Sequence, residues 1–500
     1  MSAKVFVFGI DTMEPRLLSE WMSDGTLPTF ASLRESATWG DVINPPRRFS
    51  GASWPNFYTG FGPGRHGQYA RVMFDERNYQ LGGYRPDHDN VPAFWLRESW
   101  SEKQIAVINM PYAPLHEGLS GLQLVDWGVH DNHDRAIQAW PNAMLHEVLS
   151  RFGGDPVGNC EIADRSFLEF GEFRDRLIRR VRAKSEMICH YLESRQWDLF
   201  ISVLDETHCV GHQTWHIFDP THPFYDREVA NTLGNPIKDV YVAIDDALAS
   251  VMKFIGDNGT LVVISSHGMG PAPAGEQVFD NILRRIEGVA AIRGMGAITA
   301  VSRVLRATPD WAQKLLKPAR EGFSARVTEK FLEGDRAERH YFAIPTGDLN
   351  SGVRINLAGR ESQGRVHPGE HHDAVASHLI EELHQLRDGG TGKPLVARVV
   401  PSEEIDFTGY AGSTPDFIVE WAEKSPKWIE SPTVGRIEPV YIRGRTGDHR
   451  MDGIFFCCGP ATDPGELETP VHLEDFAPTI ARMMSLPIGE TDGTPIDAIL

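Results

Sequence analysis

Four loops of this chain carry histidine where short apolar runs end or the backbone turns: His208-Cys209-Val210-Gly211-His212, Ser266-His267-Gly268, Gly447-Asp448-His449-Arg450 and Gly64-Arg65-His66-Gly67. In a chain with 20 histidines, any one of them alone is ordinary. His208 and His212 stand apart. Residues four apart on a helical turn share a face, so both imidazoles can reach one ion. Neutral imidazole suits zinc and its first-row neighbours better than magnesium or calcium. Asp11 adds a carboxylate where the run Val5 to Ile10 ends. The carboxyl end of a buried strand is where open α/β sheets place their chemistry, although a lone aspartate there also serves as a turn or helix cap.

These loops need a scaffold, and the sequence supplies one. Near-continuous apolar runs recur at Ile105 to Asn109, at Leu199 to Leu204 before Asp205, at Leu261 to Ser265 before the Ser266-His267-Gly268 loop, and at Ile454 to Cys458. Between them lie helical stretches with apolar residues three and four apart, clearest at Phe173 to Glu193 and Pro236 to Ile255. This alternation predicts an α/β fold: a doubly wound, mostly parallel sheet with helices on both faces. The rhythm breaks between about 271 and 437. That segment holds a basic helical patch (Arg303 to Lys330), strand character around Val353 to Leu357, a helix at Asp373 to Leu386 and a strand at Phe417 to Trp421. It reads as an inserted α+β cap domain, with residues 1–270 and 438–500 forming the core.

Composition narrows the function. The 500 residues include 49 Lys and Arg against 69 Asp and Glu, a net charge of −20, which repels polyanions and argues against nucleic-acid binding by a basic surface. A hydrophobic share of 41% with 24% charged residues is that of a folded globular protein. No apolar stretch approaches the ~18 residues of a membrane span. The five cysteines show no CxxC spacing, and their odd number argues against a disulfide framework. The short apolar run near the start has no basic lead and no small-residue cleavage site, so a cytoplasmic location is expected.

Taken in order, the motifs resemble a family. Gly9-Ile10-Asp11, Gly25-Thr26-Leu27-Pro28-Thr29-Phe30, Ser53-Trp54-Pro55-Asn56-Phe57-Tyr58-Thr59-Gly60 and Pro63-Gly64-Arg65-His66-Gly67 are similar to the amino-terminal half of the alkaline phosphatase superfamily. The nearest branch is the type I phosphodiesterase/nucleotide pyrophosphatases. Val107-Ile108-Asn109-Met110-Pro111, Ser266-His267-Gly268-Met269-Gly270, Gly447-Asp448-His449 and Leu473-Glu474-Asp475-Phe476-Ala477-Pro478-Thr479-Ile480 continue the likeness. Within the insertion it extends to Arg354-Ile355-Asn356-Leu357-Ala358-Gly359-Arg360 and Pro415-Asp416-Phe417.

The resemblance implies a site in which one or two divalent transition-metal ions, zinc foremost, flank a Ser or Thr nucleophile. Ser53 matches the nucleophile, with Ser50 the nearby alternative. A helix starting at Ser53 would aim backbone N–H groups at an anionic ester. Asp11, His212, His267 and His449 match metal ligands. Two positions depart from the pattern: Ser266 replaces the aspartate of Asp-His-Gly, and His208 replaces the aspartate four residues before His212. Asp205 is a carboxylate nearby, at a spacing that does not fit simple equivalence. The expected result is two unequal sites. His208, His212 and His449 form one, and Asp11, Ser53, Ser266 and His267 form a poorer one. Asn109, Arg354 and Arg360 are substrate-binding candidates, the arginines because their forks match oxyanions. The expected function is metal-dependent hydrolysis of a phosphodiester or phosphomonoester through a covalent Ser53 intermediate. A phosphoryl-transfer or mutase-type enzyme and a catalytically degenerate metal- and anion-binding protein are the alternatives. The expected partner is a small anionic ester, with no membrane; oligomeric state is not legible.

Overall fold

In a computed structural model the chain is described for residues 4–43, 50–70, 72–83, 91–130, 136–158, 160, 167–256, 258–273, 275, 278–289, 336–344, 346, 350–405, 414–439 and 444–500. The core is a ten-stranded sheet. Its main path runs Gly465–Glu466, Thr38–Ile43, Asp452–Cys458, Gly259–Ser265, Lys4–Ile10, Leu199–Leu204, Ile105–Ile108, Gly121–Val125 and Gln138–Trp140, and Val471–His472 pairs with Thr38–Ile43. The five strands from Gly259–Ser265 to Gly121–Val125 pair in parallel. Asp452–Cys458 runs antiparallel to both its neighbours, so the parallel set ends there.

The central strands are buried on both faces, and their alternation divides the core in two. Phe6 and Phe8 face a layer that includes Leu177, Val181 and Ile188 of helix Phe167–Ser194 and Ile244 and Leu248 of helix Pro236–Met252. Val5 and Val7 face Trp54 and Phe57 of helix Ser53–Thr59 and Phe476 and Ile480 of helix Phe476–Met483. Helices therefore cover both faces, as the apolar runs predict.

Register places the chemistry. Ile10 lies opposite Leu204 on one side and Ser265 on the other. Asp11, Asp205 and Ser266 therefore leave the sheet together at one edge.

Residues 336–437 build separate sheets. Tyr341–Ile344, Asn350–Ile355, Phe417–Trp421 and Val396–Pro401 form a four-stranded antiparallel sheet. Helices Phe279–Glu287 and Glu370–His384 share its core through residues such as Ile282, Leu379 and Leu383. This sheet meets the segment around the Ser53 helix: Val400 and Ile418 pack with Ala52, Tyr69 and Ala70. The basic stretch Arg303 to Lys330 lies outside the described residues. Among the described residues no helix is long and apolar enough to cross a membrane.

Candidate functional site

Helix Glu206–Phe218 begins directly after strand Leu199–Leu204 and Asp205, and carries His208 and His212 on one face. Three contacts set its place. Thr207 Oγ1 donates to the Asp11 carbonyl at 2.6 Å, tying the helix start to the end of the first strand. The Thr446 backbone N–H donates to the His212 carbonyl at 2.7 Å. Gly447 lies so close to Gly211 that a Cβ on it would sit 2.3 Å from the Gly211 carbonyl oxygen, so strand Gly447–Arg450 reaches the helix only as glycine.

The imidazoles converge. His212 donates Nδ1–H to the Gly447 carbonyl at 2.8 Å, which leaves a lone pair on Nε2. That lone pair faces His208 Nε2 at 2.9 Å and His449 Nε2 at 3.0 Å. All three side chains are buried. Burial, with His130, His212 and His449 close by, holds the His208 ring well below the usual histidine range, so it is neutral. Imidazole nitrogens converging in a buried pocket suit a transition-metal ion. The backbone carbonyl behind His212 is the kind of outer partner that fixes a ligand's tautomer.

Asp11 adjoins this group. Its Oδ2 lies 3.6 Å from His208 Nδ1, and that nitrogen has no hydrogen-bond partner among the described residues. Its Oδ1 lies 4.0 Å from His267 Nε2 and accepts the Trp54 indole N–H at 3.0 Å. Burial raises the Asp11 carboxyl to about 6, against the lowering effect of the Trp54 bond and the nearby histidines. Ser53, the residue before Trp54, is buried at the start of its helix. His66 supports that helix from behind, donating Nε2–H to Asn56 Oδ1 at 2.7 Å and accepting the Gln68 backbone N–H at 3.1 Å. The Ser50 side chain lies outside the described residues.

The profile of the family described as type I phosphodiesterase/nucleotide pyrophosphatase matches residues 5–447. The chain belongs to that family. It is thereby one of a group of hydrolytic enzymes. Solved structures share the fold at low identity. Alkaline phosphatase PafA is 14% identical, with 100% of this chain and 99% of that one covered and a TM-score of 0.54. Human ectonucleotide pyrophosphatase/phosphodiesterase 5 is 12% identical over 99% of each chain, with a TM-score of 0.50. Phosphonoacetate hydrolase from Sinorhizobium meliloti is 13% identical over 97% of this chain and 95% of its own, also at 0.50. No curated protein matches the chain in sequence.

Ser266 and His208, the two positions expected from the sequence to depart from the family pattern, have distinct surroundings. Ser266 Oγ bonds the neighbouring His267 Nδ1 at 2.7 Å, while His267 Nε2 meets Thr12 Oγ1 at 2.9 Å. His208 joins the imidazole group. Asp205 is held by partners outside the imidazole group. Its oxygens bind Lys184 Nζ at 2.6 Å, Arg180 Nη2 at 3.3 Å and the His130 backbone N–H. Burial pushes its carboxyl up, but Arg180 and Lys184 outweigh that and hold it below the usual carboxylate range.

The three substrate-binding candidates are committed elsewhere. Asn109 donates Nδ2–H to the Trp127 carbonyl at 2.8 Å and accepts the Trp127 N–H at 3.1 Å, bracing the loop after strand Gly121–Val125. Arg354 pairs with Glu361 at 2.6 Å and donates to the Thr414 carbonyl. Arg360 forks onto both Asp416 oxygens at 2.5 and 2.7 Å. Both arginines therefore knit the second sheet together. Glu361 follows Arg360 in the chain, and the fold brings Asp416 to it, so the two carboxylates take up the guanidinium forks.

Two residues beside the imidazoles carry no sequence assignment. Asp448, buried, lies with His212 and His449 such that one ligand atom of each falls within 4.8 Å of the others. It sat in plain view as the neighbour of His449. His130 forms a second such group with His208 and His212, its ring centroid 3.9 Å from that of His208. The one signal for His130 was its position shortly after an apolar run, Leu122 to Val125.

Proposed function

We propose that the protein is a metal-dependent hydrolase of phosphate esters, with Ser53 as nucleophile and His208, His212 and His449 as the principal metal ligands. The observation that carries this reading is the convergence of three imidazole nitrogens beside Asp11, whose carboxylate is bonded to the residue following Ser53. When bound there, a divalent ion supplies Lewis acidity toward the nucleophile and the phosphate oxygens; imidazole donors favour zinc or a first-row neighbour. Asp11, Ser53, Ser266 and His267 form the second, poorer half of the site.

In this scheme Ser53 Oγ forms a bond to phosphorus as the bond to the ester oxygen breaks. Water then cleaves the Ser53–phosphorus bond, releasing the phosphate product and restoring the hydroxyl. The sheet that carries Val400 and Ile418 packs on the Ser53 segment and in this scheme acts as a cap that shields the site from bulk water.

The test is Ser53→Ala, assayed on bis(4-nitrophenyl) phosphate and 4-nitrophenyl phosphate with metal content measured in parallel. Turnover is expected to fall at least ~1,000-fold with ion content and thermal unfolding unchanged. Undiminished turnover of both esters by the variant removes Ser53 from the mechanism. Absence of turnover by the wild-type chain on either ester, with ion bound, favours a metal- and anion-binding role instead.

A further inference from the structure

The three-histidine group is bordered by a fourth imidazole whose surroundings are unlike those of an ordinary core histidine. His130 sits on the loop that Asn109 braces, and its backbone N–H is fastened to Asp205, itself gripped by Lys184 and Arg180. Backbone and ring are both fixed. His130 Nδ1 lies 2.7 Å from Cys160 Sγ and 3.5 Å from Cys209 Sγ, and all three side chains are buried. His130 Nε2 lies 3.3 Å from Arg445 Nη2.

The tautomer follows from the donors. A guanidinium has hydrogens to give and no lone pair to receive one, so Nε2 is the acceptor and Nδ1 carries the proton, which points to the sulfur of Cys160. That is the arrangement of a metal-ligating histidine: one nitrogen anchored through its proton to an outer acceptor, the other presenting a lone pair. Here a sulfur takes the role that a carboxylate or carbonyl usually fills. One ligand nitrogen each of His130, His208 and His212 lies within 4.8 Å of the others. The His130 ring is steeply inclined to that of His208, at 81°.

We propose that His130 is a further ligand of the ion held by His208, His212 and His449, positioned for it by Cys160. The inference rests on the three-histidine reading above. It gives the chain a further nitrogen donor beside His208, at the position that departs from the family pattern. An ion at Nε2 takes the place of the Arg445 guanidinium, exchanging one cation for another before the same lone pair.

The experiment uses the full-length chain loaded with one equivalent of Cu²⁺ as a paramagnetic probe, with pulsed electron paramagnetic resonance counting the coupled imidazoles. Four are expected in the wild type and three in His130→Gln, whose affinity in chelator competition falls ~10- to 100-fold. Cys160→Ser is expected to keep four imidazoles while shifting the coupling of the remote nitrogen of one, because its hydrogen-bond acceptor has changed. Three imidazoles in the wild type, with a spectrum that His130→Gln leaves unchanged, overturn the proposal while leaving the three-histidine site standing. A wild-type chain that binds no ion, or a His212→Ala chain that binds as tightly as the wild type, overturns the underlying reading and this one with it. Should His130→Gln fail to fold, the wild-type count decides the matter.

Discussion

Trp54 donates its indole N–H to Asp11 Oδ1 at 3.0 Å, and through this bond the helix carrying Ser53 is fastened to the carboxyl end of the first core strand. The approach is tight. A Cβ on Gly9 would lie 2.9 Å from the Trp54 ring and 2.9 Å from Val203, so the strand is glycine where the indole crosses it. Ser53 and Asp11 are thus positioned by one buried aromatic residue between them.

Trp54→Phe keeps most of the ring and removes the donor. Asp11 then loses the indole N–H it accepts, and the variant is expected to lose ~1–3 kcal/mol of stability, the cost of an unsatisfied buried acceptor. The kcat/KM on bis(4-nitrophenyl) phosphate is expected to fall ~10-fold or more, as misaimed carboxylate and serine lose transition-state contact. Urea unfolding and steady-state kinetics read the two effects. A stability loss with unaltered kcat/KM reduces Trp54 to packing.

The imidazole group makes a sharper prediction about metal. His212 Nε2 faces both other nitrogens, so its removal breaks the set at the centre, whereas His267, bonded to Ser266 and Thr12, lies at the margin. His212→Ala is expected to reduce ion content by one per chain. His267→Ala is expected to retain that ion. Elemental analysis after exhaustive dialysis measures both. Equal ion loss in the two variants contradicts the inequality of the two half-sites.

The sheet and the placement of the histidine-bearing loops were legible because both rest on local signals. Buried parallel strands are continuous apolar runs, and the residue after each run falls at the same sheet edge whatever the rest of the chain does, which is why Asp11, Ser266 and the loop of His208 could be placed. His130, Asn109 and the two arginines were not, because their roles depend on partners distant in sequence. Nothing near Asn109 says that its amide is taken by Trp127. The sequence does place Glu361 beside Arg360 and Asp416 beside Phe417, but only the folded pairing of Asn350–Ile355 with Phe417–Trp421 brings Asp416 to Arg360. The buried cations Arg180 and Lys184 were likewise hidden: four apart on a long helix, they read as a solvated face until Asp205 and Glu206 are seen to lie against them.

Asn109 holds φ at 55° and spends its amide on the Trp127 backbone, so Asn109→Ala acts on stability before chemistry. Loss of two buried hydrogen bonds is expected to cost ~2–3 kcal/mol. At a temperature where the variant is folded, KM should stay within about twofold of wild type, since the Asn109 amide is held by the Trp127 backbone. A large rise in KM without a change in the unfolding midpoint returns Asn109 to the substrate.

Arg360 is the corresponding case in the second sheet. Removing its fork leaves Asp416 with uncompensated charge, so Arg360→Ala is expected to cost ~3–5 kcal/mol, the usual penalty for breaking a largely buried pair, discounted because the Arg360 side chain is 31% exposed. The double variant Arg360→Met with Asp416→Leu should recover much of that loss, because both charges are then gone. Thermal unfolding of the three proteins distinguishes this from a surface role, in which neither variant moves the midpoint.

Glu474 ties pH to the Ser53 helix. It is buried beside Asn56, and burial pushes its carboxyl up to about 8 from the ordinary 4.5, with Asp475 and Asp492 adding to the shift. The folded protein therefore keeps a proton that the unfolded chain releases between pH 4.5 and 8. Stability contributed by the neutral form is complete below the unfolded value and is lost as pH rises through that window. Integrated over the shift, the loss is roughly 3–5 kcal/mol. Glu474→Gln, which cannot ionise, should match the wild type near pH 4.5 and exceed it by that amount above pH 8. Phe476, two residues on, packs against Phe57 of the Ser53 helix with ring centroids 5.9 Å apart, so ionisation of Glu474 is also expected to loosen the serine and give the wild type a reversible alkaline fall in kcat that Glu474→Gln lacks. Urea unfolding midpoints at pH 5 and pH 9 supply the measurement; a constant difference between the two proteins across that range would show that Glu474 does not titrate in the fold.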